Sequence, residues 1–286
     1  MKGDIAEECT KRRVDCRCAL SHPVGGSHGG AAQATSEDFA RDVLAGVEYL
    51  LTRREIDPNR IGLIGHSDGG NIAPLAAVDS NDVAFIVLMA GSGVTGDLVL
   101  EGQIAALLKV GGADQATIDA AIQDHRRRMD VIKNETDPNL AQEKLRAVGV
   151  DSLSRFEEKQ RQAIPDYEGY VDSQVQMLTS RWYYFFVTHD PRETLREVKC
   201  PVLALNGELD LQVLAKVNLP VIEQALREGG NPDFTVKELP RLNHLFQTAE
   251  TGAIEEYARI DETLSPLALE TIGQWIEGVL PRGRQP

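Results

Sequence analysis

The fold is decided by one stretch of the sequence, which reads Arg60-Ile61-Gly62-Leu63-Ile64-Gly65-His66-Ser67-Asp68-Gly69-Gly70-Asn71. The stretch begins with a nearly uninterrupted run of aliphatic residues, a pattern typical of a short buried strand. A helical pattern starts at Asn71, directly after the glycines. A strand that turns into a helix through Gly-x-Ser-x-Gly is the context in which this motif presents a nucleophilic serine.

The predicted turn at Ser67 has consequences for its neighbours. The turn is so tight that the serine takes strained backbone angles, and the residues two before and two after it should carry almost no side chain. Ser67 then projects its hydroxyl beside the amino end of the following helix. The amide of Asp68 points at the same space and can stabilise an oxyanion. The competing interpretation is a glycine-rich turn whose serine has no chemical role.

Length and charge narrow the class of protein. A chain of 286 residues suits one large α/β domain, or a domain with an insertion. The net charge of -14 argues against nucleic acid as a partner, because no net positive field would hold a phosphate backbone. No run of about 18 apolar residues occurs, so we expect no membrane span. The first residues lack the apolar region of a signal peptide, so we expect a cytoplasmic protein.

The cysteines do not form the pattern of a disulfide framework. There are four, which are Cys9, Cys16, Cys18 and Cys200. The first three, with His22 and His28, could be drawn as zinc ligands, but they lack the paired Cys-x-x-Cys spacing of common zinc sites. We favour an atypical leader over residues 1–23 that carries unpaired thiols outside the core. No metal and no organic cofactor is expected.

The periodicity along the chain predicts a parallel sheet. Val83–Gly91 forms a second buried strand, and a helix joining two such strands makes a right-handed βαβ unit. Val202–Gly207 and Phe234–Leu239 continue the strand pattern, with a helix from Pro220 to Glu228 between them. The core therefore comprises residues 24–94 and 196–286.

Residues 95–195 differ from this core because they are helical in period and almost free of strand patterns. They predict a helical cap insertion, and insertions of this length are usually functional lids. Near its end the insertion carries the most aromatic stretch of the chain, Arg181–Asp190. Its aromatic residues could line an apolar substrate pocket or simply pack the insertion onto the sheet. The pocket candidates are Trp182, Tyr183 and Phe185.

A serine becomes a nucleophile only when a base removes its proton, and a base with a near-neutral pKa favours histidine. The sequence has six histidines, which are His22, His28, His66, His125, His189 and His244. His244 follows the last predicted strand, so it should lie at the same edge of the sheet as Ser67. The chain order serine, acid, histidine places the base there.

The other histidines are weaker candidates for the base. His66 is adjacent to Ser67 in sequence, so its side chain points away from where the hydroxyl needs it. His125 lies in the charged run Asp124–Arg128, which is typical of a solvated helix face. The rest lie in the helical insertion or before the core, and they are His189, His22 and His28.

The base in turn needs an acid that holds its tautomer and stabilises the imidazolium. Asp210 follows the strand that ends at Gly207, and one helix and one strand separate it from His244. Glu208 is the alternative acid, because a different path of the same loop would exchange the two carboxylates. The simpler interpretation of each is an exposed loop residue, but all three members fall just past strand ends.

At these residues the chain resembles the α/β-hydrolase serine esterases, and it is most similar to the bacterial branch related to dipeptidyl-aminopeptidase and acyl-peptidase hydrolases. The matching blocks lie between about residues 24 and 280, and they are Thr35–Val43, Asp57–Gly70, Cys200–Asp210 and Leu242–Phe246. The resemblance implies carboxylic ester hydrolysis with Ser67, Asp210 and His244 as the catalytic triad. Family members commonly have Glu after the serine, so Asp68 is a mild departure.

The resemblance also implies a fold with more strands than this chain shows before Val24. The expected architecture is an α/β-hydrolase fold: a mainly parallel sheet flanked by helices, with a helical cap insertion and incomplete amino-terminal strands. This pattern fits a truncated start. The loop that gives the second oxyanion amide would be missing, unless an amide in Gly25–Gly30 replaces it.

The leading hypothesis is a carboxylesterase for short to medium acyl chains, whose partner is a small-molecule ester. A peptidase or thioesterase would use the same triad, because the triad does not choose the leaving group. An inactive remnant or binding module is the alternative from another class. An uncovered edge strand would favour a homo-oligomer.

Overall fold

A computed structural model describes residues 34–156, 164 and 166–280 of the chain. The predicted leader, the Gly25–Gly30 loop and the drawn zinc ligands before residue 30 lie outside the described residues. The described chain divides into two units. One holds Ser36–Val94 together with residues 190–280, and the other is built mainly from Thr95–His189.

Helices and strands alternate only in the first of these units. In chain order the elements are α1 (Ser36–Leu51), β1 (Gly62–His66), α2 (Gly69–Val78), β2 (Phe85–Met89), α3 (Gly96–Val110), α4 (Gln115–Asn134), α5 (Pro138–Ser154), α6 (Tyr167–Leu178), α7 (Arg181–Thr188), α8 (Pro191–Glu197), β3 (Val202–Gly207), α9 (Ala215–Glu228), β4 (Phe234–Leu239) and α10 (Pro266–Val279). Short 3-10 helices cover Pro58–Arg60 and Ile254–Arg259. None of the described helices is long and apolar enough to cross a bilayer.

The first unit contains a four-stranded sheet in the order β1-β2-β3-β4, and every neighbouring pair is parallel. The predicted α/β architecture with a parallel sheet is therefore confirmed. β2 and β3 are buried at every residue, as expected for parallel strands covered on both faces. The register pairs His66 with Met89, and Met89 with Leu205. The carboxyl ends of these strands consequently meet at one edge of the sheet.

The helix α9 begins earlier than the sequence predicts. The sequence predicts that it starts at about Pro220. It starts instead at Ala215, with Pro220 in its interior. Its residues Leu219, Ile222 and Leu226 are buried in the core cluster of the sheet, and burial of such side chains contributes about 1.5–3 kcal/mol each. That burial offsets the hydrogen bond that the proline cannot donate.

The second unit has an apolar core of its own, which joins helices α4 to α7. Its buried members are Met129, Ile132, Leu145, Leu178, Tyr183 and Val187. Within this core Trp182 stacks on Phe186, with ring centroids 5.3 Å apart. Side chains spaced at helical intervals thus stabilise the unit internally.

The expectation that His125 lies on a solvated helix face is wrong. His125 is 5% exposed, and its Nε2 lies 2.8 Å from the backbone oxygen of Asp97 on α3. Asp124 is also buried, and its carboxylate accepts hydrogen bonds from Ser152, Arg127 and Arg155. Charged residues usually indicate a solvated face, but here the partners of Asp124 compensate its charge, so this part of the helix is buried.

Acidification should destabilise this unit through His125. Burial lowers the pKa of its imidazole below 6.5 and outweighs the opposing effect of Asp97 and Glu101. The contribution of the neutral ring is intact above about pH 6.5, and it is lost as the pH falls from there toward the folded-state pKa.

The test compares the wild type with His125→Gln, which keeps an N–H donor but does not titrate. The free energy of unfolding in urea should fall less in the variant between about pH 7.5 and pH 5.5. All other titratable groups are the same in both proteins, so the difference isolates residue 125. An identical pH dependence would contradict this account.

Candidate active site

The turn between β1 and α2 has the strained geometry that the sequence predicts. Ser67 has a φ of 56°, which is uncommon for a residue with a side chain and is worth attention at a functional site. Its backbone N–H donates to the backbone oxygen of Met89 over 2.8 Å, and its backbone oxygen accepts the N–H of Gly70 over 2.8 Å. These bonds hold the serine at the carboxyl edge of the sheet, just past β1.

The glycines around Ser67 do not share one role. A Cβ on Gly65 would lie 1.9 Å from the oxygen of Gly69, whereas a Cβ on Gly69 would meet nothing within 4 Å. The expectation that a side chain would clash is therefore confirmed at Gly65, two residues before the serine, and is wrong at Gly69, two residues after it. Gly70 has the second close approach, because its Cβ would lie 2.7 Å from the Cα of Gly91. This contact lets α2 pack against the end of β2.

The structure brings Ser67, His244 and Asp210 into one chain of hydrogen bonds. His244 Nε2 lies 3.1 Å from Ser67 Oγ, and His244 Nδ1 lies 2.9 Å from Asp210 Oδ2. The side chains of His244 and Asp210 are 6% and 0% exposed. Such burial excludes water from the pair, so the carboxylate can hold the ring tautomer that leaves Nε2 free to accept the serine proton.

The loop after β3 fixes the orientation of Asp210. Its Oδ1 accepts backbone N–H bonds from Gln212 and Val213, over 2.8 and 2.9 Å. One carboxylate oxygen is thus bound by the loop, while the other faces the imidazole. Glu208, the alternative acid, instead accepts the N–H of Arg241 over 2.9 Å at an exposed position.

Asp68 precedes the first residue of α2. Its side chain accepts a hydrogen bond of 3.3 Å from the hydroxyl of Ser36, the residue at which α1 begins. The role of its amide as an oxyanion donor stays a prediction, and the second predicted donor, in Gly25–Gly30, lies outside the described residues.

The aromatic pocket candidates all lie on α7 in the helical unit. Tyr183 is buried in the core of that unit, and burial raises the pKa of its phenol to about 12. Phe185 stacks on the ring of His189 with a centroid separation of 4.7 Å. Together with the stacking of Trp182 on Phe186, these contacts account for packing inside the unit, and the pocket role of the three residues stays a prediction.

Sequence reasoning missed the part that His66 takes in the site. Its Nε2 lies 2.8 Å from the backbone oxygen of His244. His66 and Ser67, which are adjacent in sequence, therefore both contact His244. Its ring lies beside that of His244, with centroids 4.9 Å apart. The available signal was a polar ring at the end of an otherwise aliphatic strand.

In the part of the chain that the structure describes, no group of three or more His, Cys, Asp or Glu side chains could hold a metal ion.

Comparison with known proteins identifies the family. The model of the Alpha/beta hydrolase family matches residues 10–257, and the chain belongs to this family. A search of curated proteins found no match.

Solved structures are similar to this chain at low sequence identity. DcsB in complex with its substrate analogue is 16% identical, with 97% of this chain and 85% of that chain covered and a TM-score of 0.51. A thermophilic esterase from Thermogutta terrifontis with malate bound is 18% identical, with 89% and 76% covered and a TM-score of 0.43. Proline iminopeptidase from Mycobacterium smegmatis is 15% identical, with 86% and 72% covered and a TM-score of 0.43.

Exchanging the two candidate acids for their amides should separate them. Asp210→Asn should slow the labelling of Ser67 by a fluorophosphonate on the order of 10³–10⁴-fold, because an amide at this position favours the wrong imidazole tautomer. Glu208→Gln is the matched control and should label at nearly the wild-type rate. Labelling rates are followed by intact mass, and equal rates for the two variants would contradict the assignment of Asp210.

Alanine substitutions should separate the two glycines of the turn. Gly65→Ala should lower the free energy of unfolding by about 1–3 kcal/mol, because its Cβ overlaps a backbone oxygen that cannot move freely. Gly69→Ala adds a Cβ to open space at the start of a helix and should be neutral or slightly stabilising. Urea unfolding measures both, and a larger loss for Gly69→Ala would refute this difference.

Proposed function

We propose that this protein is a serine hydrolase that cleaves carboxylic esters through an acyl-enzyme on Ser67. The observation that carries the proposal is the continuous chain from Ser67 Oγ through the His244 ring to Asp210 Oδ2, with separations of 3.1 and 2.9 Å. Membership of the Alpha/beta hydrolase family agrees with a hydrolytic reaction.

In the first half of the reaction His244 Nε2 removes the proton from Ser67 as Oγ attacks the ester carbonyl. The imidazolium that forms is stabilised by the Asp210 carboxylate, which lies on the opposite ring nitrogen. His244 then donates the proton to the departing alkoxide, so the alcohol leaves and the acyl group stays on Ser67. In the second half a water molecule attacks the acyl-enzyme as it loses a proton to His244. The bond between the acyl carbon and Ser67 Oγ then breaks, His244 returns the proton to Oγ, and the acid leaves.

The negative charge on the tetrahedral intermediate needs a donor. The amide of Asp68 at the amino end of α2 is the donor we propose, since the helix dipole also favours an anion there. One such donor contributes about 2.7–4 kcal/mol to the stabilisation of a transition state.

The substrate we propose is a small-molecule ester with a short to medium acyl chain. The size class is carried over from the sequence, where Trp182, Tyr183 and Phe185 are predicted to line an apolar pocket. The similarity to the branch related to dipeptidyl-aminopeptidase and acyl-peptidase hydrolases stays a prediction.

Nitrophenyl esters of increasing acyl length test the proposal on the wild type and Ser67→Ala. The wild type should turn over the short and medium esters, and the variant should fall to the uncatalysed rate because the nucleophile is absent. Equal turnover by the two proteins would remove Ser67 from the mechanism.

A matched panel of esters, thioesters and peptide anilides decides the leaving group. Esters should give the highest kcat/KM, and a preference for anilides or thioesters would replace the esterase with a peptidase or a thioesterase. A wild-type protein that fails to react with a fluorophosphonate would identify the chain as an inactive member of the family.

A further inference from the structure

We propose that His66 is a positioning residue, which ties the end of the nucleophile strand to the backbone of the general base and so sets the Ser67–His244 distance. The inference rests on the proposed function, since it assigns roles to Ser67 and His244. The turn at Ser67 does not itself require a histidine at position 66, so the inference gives this side chain a role of its own.

The geometry of His66 is that of a donor to a backbone carbonyl. Its Nε2 lies 2.8 Å from the oxygen of His244, and an oxygen of this kind only accepts, so Nε2 carries the hydrogen. The two imidazole rings lie 4.9 Å apart at 49°, and the ring of Phe246 meets His66 edge-on at 6.1 Å. The hydrogen bond and the two ring contacts together fix the orientation of the His66 side chain.

The loop that carries His244 is otherwise held from other directions. The side-chain oxygen of Asn243 accepts the N–H groups of Leu245 and Gln247, over 3.0 and 2.9 Å. Leu242 accepts the N–H of Leu209 over 2.9 Å, next to β3. In the described chain these bonds run within the loop or toward β3, whereas the bond from His66 reaches it from β1. His66 therefore couples the base to β1, the strand that ends just before Ser67.

Such a coupling matters because proton transfer depends steeply on separation. A displacement of about 1 Å in a reacting group can reduce the rate about 10²-fold. Phe246 has a φ of 59°, so the loop holds a strained conformation that its contacts must maintain.

The environment of His66 also keeps the ring neutral. Burial lowers the pKa of His66, and the nearby His244 lowers it further, against the raising effects of the bond to the His244 carbonyl and of Asp210. A neutral ring places no positive charge beside the imidazolium that forms on His244 during the reaction. Both titratable groups that shift the pKa of His66, which are His244 and Asp210, belong to the proposed site.

The experiment compares His66→Phe, which keeps a ring but has no donor, with His66→Gln, which places an N–H donor at a similar reach. His66→Phe should lower kcat for a nitrophenyl ester, and the Ser67 labelling rate, about ten- to a hundredfold with KM little changed. His66→Gln should recover most of that loss.

His125→Phe is the matched control. It removes a hydrogen bond of the same kind, also 2.8 Å from a histidine Nε2 to a backbone oxygen, but in the helical unit. It should lose stability in urea while Ser67 keeps the wild-type labelling rate. A general effect of losing a buried histidine would slow both variants alike.

Two outcomes would overturn the inference: a wild-type kcat in His66→Phe, or a His66→Gln protein of native stability that is as slow as the phenylalanine variant. If His66→Phe does not fold, His66→Leu supplies the donor-free protein. Failure of the proposed function is recognised separately, because it would appear as ester turnover by Ser67→Ala equal to that of the wild type.

Discussion

The imidazole of His244 is bound between two oxygens that come from distant parts of the chain, and this arrangement depends on the register of the parallel sheet. Ser67 follows β1, Asp210 follows β3 and His244 follows β4. Because parallel strands in register end at one edge, the three loops begin close together, and short loops are then enough to join the side chains. A slip of one residue in any strand would turn a side chain to the opposite face of the sheet.

Close backbone approach is the second constraint at this edge. Gly65 lies under the oxygen of Gly69, and Gly70 lies against Gly91. These approaches let the chain reverse from β1 into α2 within a few residues, which forces the positive φ at Ser67. The N–H of Ser67 donates to Met89 at the end of β2, so the neighbouring strand supports the strained conformation of the serine.

Buried polar groups in both units are satisfied by partners rather than excluded. In the sheet unit the Asp210 carboxylate is bound by two backbone N–H groups and by His244. In the helical unit Asp124 is bound by Ser152 and two arginines. The same rule, that a buried charge needs hydrogen-bonding partners, therefore holds in both units.

Much of the architecture could be read from periodicity and local motifs. The aliphatic runs of β2 and β3, the helical period of α3 to α5, and the strand–Gly-x-Ser-x-Gly–helix context depend on local interactions that a sequence displays directly. The candidates Ser67, Asp210 and His244 followed from their places just past strand ends. What the sequence left open was Glu208 against Asp210, because two carboxylates two residues apart differ only in the path of their loop.

The tertiary structure alone decided which groups are buried and which backbone atoms they meet. His125 looked solvated because its neighbours are charged, yet packing against α3 buried it and gave it the Asp97 carbonyl. His66 gained the His244 carbonyl, and Gly69 proved to face open space while Gly65 did not. Local sequence determines which elements form, whereas contacts between residues far apart along the chain exist only after those elements have packed.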